Sequence, residues 1–136
     1  MRETLFRGKR LYDGEWVFGF YVHCADRWGR DKDLIQSLDL ESGEFGFLHE
    51  VAPETVGQYT GLLDKNGKGI FEHDICRNTR NGEIVLVKWH GTMAGYVWCK
   101  HGESHLSDFG ELFRAYDKYE VIGNIHDNPE LMRAQS

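Results

Sequence analysis

Proline is nearly missing: two residues in 136, against 16 glycines. That balance excludes rigid Pro-rich linkers and favours tight turns. Cysteine is scarce too. Cys24, Cys76 and Cys99 are an odd number at wide spacing, a poor disulfide framework. No apolar run is long enough to span a bilayer, and Met1-Arg2-Glu3-Thr4 leads into no signal-peptide core. A soluble protein of the reducing cytoplasm is the expectation. An excess of basic charge is absent as well. The formal net charge of −6 gives no long-range attraction to nucleic acid or to anionic lipid. Neither internal repeats nor low-complexity tracts occur. What remains is 40% hydrophobic and 28% charged, which excludes disorder, at a length that suits one domain with at most a small elaboration.

The apolar residues come in short runs separated by turn signals. Leu5 to Gly8 forms a first candidate strand. Asp13-Gly14 then divides Leu11-Tyr12 from Trp16 to Val22, a hairpin signal because both turn residues tolerate positive φ. Gly19 within that second run marks a bulge or the close approach of another backbone. Trp28 stands in a charged turn, where anchoring its own loop is the plainer role. Ile35 to Leu40 and Phe45 to Leu48 follow as strands around Ser42-Gly43.

Val51 to Thr55 crosses into a second half. Strand composition returns at Val56 to Thr60, and Asp64-Lys65-Asn66-Gly67 turns the chain. Ile70-Phe71 and Ile75 to Arg77 are short strands, and Asn81-Gly82 leads into Glu83 to Trp89. Four consecutive apolar residues, Ile84 to Val87, leave no solvated face, so that strand should be central. Tyr96 to Cys99 and Tyr119 to Gly123 complete the set. Leu106, Phe109, Leu112, Phe113 and Tyr116 recur at helical spacing, with Asp108 and Glu111 as a capping pair. Asn128-Pro129 is a helix start, the asparagine side chain accepting from the first amides. The reading is a mainly β chain (β-rich α+β). Residues 56–136 are expected to hold an SH3-like small barrel with one or two short helices, and residues 1–55 additional strands.

Several constellations invite chemistry. Asp64, Asn66 and Gly69 occupy the first, third and sixth positions of a calcium loop. Lys68 falls at the fifth and Ile75 at the twelfth, where coordination needs oxygen, so a plain turn is expected. Cys99, His101 and His105, with His90 or Cys76, could supply zinc ligands, but no Cys-x-x-Cys knuckle accompanies them. Cys24 beside His23, and Cys76 two residues after Asp74, would each need a base placed in space. Glu72 and Asp74 share one side of an extended chain, although Asp at a strand entrance more often makes turn hydrogen bonds. No motif of known catalytic geometry appears, so no enzyme, cofactor or metal is expected. Arg77, Arg80, Lys88 and Lys100, near Trp89 and Trp98, are the candidate nucleic-acid contacts.

Glu54-Thr55-Val56-Gly57-Gln58-Tyr59-Thr60-Gly61-Leu62, followed by Asp64 to Gly67, Ile70 to Glu72 and Asp74-Ile75, resembles the central signature of the YopX family. Glu120 to Leu131 resembles its C-terminal signature, and Arg2 to Phe6 its opening. The stretch from His23 to Phe47 matches poorly. The resemblance implies a bacteriophage or prophage setting and an SH3-type barrel with additions, and it brings no catalytic residue or cofactor. His73 and Gly69 depart from the family pattern, which has glycine at the first position and a larger polar residue at the second. The turn before Ile75 is therefore expected to differ, its flexible position moved to Gly69. The functional expectation is a non-catalytic accessory protein that binds a phage or host protein or associates with itself as a homo-oligomer. The alternative is a nucleic-acid-binding small barrel.

Overall fold

Among the described residues, short apolar runs punctuated by Asp-Gly, Ser-Gly and Asn-Gly give ten strands, a 3-10 turn and a short helix. The computed structural model describes residues 5–39, 41–90, 95–100 and 118–133; for 89, 90 and 95–100 it describes the backbone only. The helix expected over 106–116 lies outside the described residues, as do His101, His105 and the side chains of Trp89, His90, Trp98, Cys99 and Lys100. The chain divides into two compact units, Met1–Tyr59 and Thr60–Ser136.

The first unit is an antiparallel meander. Strands β1 (Phe6–Lys9), β2 (Trp16–Ala25), β3 (Asp31–Leu38) and β4 (Phe45–Glu50) follow one another, and a 3-10 turn at Pro53–Thr55 precedes β5 (Gly57–Leu63). β1 pairs with β2 on one side, Arg7 opposite Phe18, and with the start of β5 on the other, Arg7 opposite Gly57. The path also returns to β1 just after β4. Arg10 bridges Val51, the Leu11 amide donates to Glu50 O at 3.0 Å, and the Ala52 amide donates to Lys9 O at 2.9 Å. This is barrel-type closure. It consumes edge groups that an open meander would leave bare. Alternation along β2 sends Val17 inward, where it packs with Ile35, Val51, Phe6, Tyr21 and Val56. Gly19 in the same row faces Ser37, and a Cβ there would overlap the Gln36 carbonyl. Of the two readings of Gly19, close backbone approach is the one found.

In the second unit the later residues of β5 run beside β6 (Gly69–Phe71). A four-stranded antiparallel sheet follows in the order β10-β7-β8-β9, from β7 (Asp74–Asn78), β8 (Ile84–His90), β9 (Gly95–Lys100) and β10 (Tyr119–Asn124). β8 is internal, as its unbroken apolar run requires. Val85 and Val87 pack on one face with Ile70, Cys76 and Tyr119. Ile84 and Leu86 pack on the other with Ile75 and Met132, the latter from helix α1 (Glu130–Arg133). Both faces are thus buried against different parts of the chain. Asn128 does not cap α1 with its side chain. Its Oδ1 instead accepts the Asn124 amide at 3.3 Å, fixing the turn that leads into the helix. The mainly β architecture is present in both units, and the closure seen among the described residues is the one around β1.

Candidate interaction surface

Even-numbered positions of β2 and β3 face away from the Val17–Ile35 core, because pleating alternates side chains between faces. Phe20 lies opposite Gln36 and Val22 opposite Leu34; Gln36 in turn lies opposite Leu48, and Leu38 opposite Phe45. Phe20 and Phe45 are in ring contact, with centroids 5.7 Å apart. Val22, Leu48 and Phe45 are 40%, 50% and 64% exposed, and Phe47 is 82% exposed. β4 is last in the strand order on its side of the meander, with its final residue, Glu50, joined to Leu11. A register shift between Gln36 and Leu38 marks a bulge near its start. There the Gln36 side-chain amide donates to Gly46 O, and Ser37 Oγ donates to Phe47 O at 3.2 Å. The outcome is an edge hairpin that presents aromatic rings to solvent. Such rings on an edge strand are unusual, since edges are normally blunted by charge or proline.

On the core-facing row, three polar groups meet. Tyr21 OH donates to Asp33 Oδ1, and His23 Nδ1 lies 3.0 Å from the same oxygen. The carboxylate raises the Tyr21 phenol to about 12, with burial adding to the effect. The same hydrogen bonds, from Tyr21 first and His23 second, lower Asp33, and His23 is raised by its hydrogen bond to Asp33. Period-two spacing of Tyr21 and His23 was the available signal for this cluster; the partner strand was not readable.

The sequence-selected basic residues fall on β7, the turn after it, β8 and β9. Arg77 on β7 donates from Nε to Glu120 Oε1 at 2.9 Å, and a second guanidinium nitrogen joins the same oxygen. Arg80 sits in the exposed Asn78–Gly82 turn, its amide donated to Asn78 Oδ1. Lys88 pairs with Val97 in the register, and Lys100 with Val85. Arg77, Arg80 and Lys88 thus stand on β7, the turn after it and β8, while the Lys100 side chain lies outside the described residues. Trp28 is 70% exposed, with the guanidinium carbons of Arg27 and Arg30, from its own loop, at 5.3 and 5.0 Å from the ring centroid.

Asp64 is the turn residue expected in place of a calcium ligand. Its Oδ1 accepts the amides of Asn66 and Lys68 at 2.8 and 2.9 Å, and its Oδ2 accepts the Val121 amide at 2.9 Å. Burial works to raise this carboxyl, but the three amides together hold it below the usual carboxylate range. Asp74 Oδ2 accepts the Phe71 amide at 2.7 Å, the turn role expected at a strand entrance. Cys76 is fully buried, and burial followed by the nearby carboxylates of Asp74 and Asp64 pushes its thiol up. A thiol so placed stays protonated and is a poor nucleophile. Among the described residues, no group of three or more His, Cys, Asp or Glu side chains is disposed to hold a metal ion.

At residue 73 the left-handed conformation is retained. His73 has φ 78°, whereas Gly69 belongs to β6 and has no positive φ. The expected transfer of the flexible position to Gly69 is therefore corrected: the amide and carbonyl of residue 73 are already committed, to Val87 O at 2.8 Å and to the Ile125 amide at 3.0 Å. A β-branched side chain tolerates this backbone poorly. His73→Val is expected to be less stable than His73→Gly by about 2 kcal/mol, read from urea denaturation midpoints. Equal midpoints would mean the turn relaxes freely.

Two small β units, one closed around β1 and one built on a strand, β8, buried on both faces, define a β-rich protein with an exposed edge hairpin. The YopX family, described as YopX protein, matches residues 5–133, and the chain belongs to that family. Its fold is similar to that in the crystal structure of protein EF1440 from Enterococcus faecalis, with a TM-score of 0.57 at 24% identity, covering 97% of this chain and 99% of that one. No curated protein matches the chain. Among the described residues no helix is long and apolar enough to cross a membrane.

Proposed function

We propose that this YopX-family chain is a non-catalytic accessory protein of a bacteriophage or prophage, acting in the host cytoplasm through protein contacts, first of all with a second copy of itself. The observation that carries the reading is the edge hairpin with Phe45, Phe47 and Leu48 in solvent. Aromatics are enriched at interface cores, and burial of such rings supplies much of the energy of association. An antiparallel strand edge is self-complementary about a two-fold axis, so one β4 can serve as the partner of another. Charge supports the choice over nucleic acid, since the chain carries a net −6 and Arg77 is neutralised by Glu120.

Size-exclusion chromatography with light scattering, from low to high micromolar protein, tests this reading. The native chain is expected to shift from monomer to dimer mass, and Phe45→Ser combined with Phe47→Ser to remain monomeric. A native chain that stays monomeric throughout would remove the self-association reading. Salt-sensitive binding of labelled DNA, lost when Arg77, Arg80 and Lys88 are neutralised, would restore the nucleic-acid reading.

A further inference from the structure

We infer that His73 and His126 form an open two-histidine site for a divalent transition metal of the zinc class. This rests on the second unit alone and is independent of the association proposed for β4. His126 Nε2 lies 3.2 Å from His73 Nδ1, with ring planes at 84° and centroids 5.0 Å apart. Two imidazole nitrogens bound to one tetrahedral zinc at about 2.0–2.1 Å are separated by about 3.3–3.4 Å. The spacing found is therefore close to the bite of a chelate, in which the metal would lie to one side of the line between the two nitrogens. The outer nitrogen of His73 is placed to suit. His73 Nε2, which would not ligate, faces Glu72 Oε2 at 3.5 Å. A carboxylate on the distal nitrogen is the usual outer partner of a metal-bound histidine, fixing its tautomer and raising its basicity.

The backbone holds both rings in register before any metal arrives. The His73 carbonyl accepts the Ile125 amide at 3.0 Å, so the two segments are tied one residue away from His126. Asn124 Oδ1 accepts the amides of His126 and Asp127 at 3.0 and 2.9 Å, and Asn124 Nδ2 donates to Asp127 Oδ2 at 3.2 Å. His73 adopts its left-handed φ of 78° within this frame, and the side chain is 25% exposed. A non-glycine residue kept in that conformation at a pre-arranged pair of donors points to a use for the imidazole. Two histidines fall short of a closed structural site, so binding should be weak enough for chelators to reverse.

The test uses the full chain stripped with a chelator. Calorimetric titration with Zn²⁺ is expected to give one site per chain, with a matching rise in melting temperature. Co²⁺ should give visible bands typical of nitrogen and oxygen ligands, without a thiolate charge-transfer band. His73→Gly, which suits the left-handed backbone, and His126→Gln should each weaken binding at least tenfold while circular dichroism stays native. The proposal is overturned if the native chain takes up no Zn²⁺, if both variants bind as the native chain does, or if a thiolate band shows that cysteine is the ligand.

Discussion

Asp64→Ala is expected to destabilise the second unit by about 4 kcal/mol, the sum of losing hydrogen bonds to a charged acceptor and stranding their donors. The carboxylate serves three backbone amides, two in its own turn and one in β10, 57 residues further along the chain. Alanine removes all three acceptor positions at a site only 6% exposed. Asp64→Asn keeps one oxygen and should lose roughly half as much. Chemical denaturation followed by tryptophan fluorescence measures both. The pH dependence follows from the same contacts. The folded-state pKa is lowered, so the stabilisation is present above the ordinary carboxylate pKa of about 4 and is lost as pH falls through the folded value. Asp64→Asn should therefore flatten the acid limb of the stability profile below about pH 4. A variant with native stability and a native acid limb would show that Asp64 is only a turn former.

Gly19→Ala is expected to cost the first unit about 3 kcal/mol or more, enough to leave little folded protein if the unit is ordinarily stable. The position is buried in β2, and an added Cβ would lie on the Gln36 carbonyl and press on Ser37 Cα. Both obstacles are backbone, so no rotamer relieves them. Gly43→Ala is the control. Its φ of 76° strains any side chain, but nothing lies within 4 Å, and the loss should be only about 1 kcal/mol. Thermal melts of the two variants should differ clearly. Matching melts would mean that β3 yields to the methyl group without loss.

The same pair of glycines shows what the sequence could and could not convey. Ser42-Gly43, Asp13-Gly14, Asn66-Gly67 and Asn81-Gly82 were legible as turns because each requirement is local: a positive φ within two residues of an acceptor. Gly19 was legible only as one of two alternatives, because the Gln36 carbonyl comes from another strand. Val85 and Val87 announced a central strand, since a run without polar alternation has nowhere to expose itself. The candidate surface was less readable. Phe45, Phe47 and Leu48 look like any half-buried strand, and their exposure depends on β4 having no outer neighbour among the described strands. His73 and His126 are 53 residues apart, and no spacing rule connects them. The partner of Arg77, Glu120, is 43 residues away and equally invisible to local spacing.

The order of strands in the second sheet has a consequence for biosynthesis. β7 lies between β8, made soon after it, and β10, made more than 40 residues later. As the chain leaves the ribosome, β7 and β8 can join early while one margin of β7 stays open. Residues 119–124 then arrive to fill it. Until they do, Cys76 and Val85 lack the Val121 side of their core, and that half-built sheet is the species a chaperone would meet.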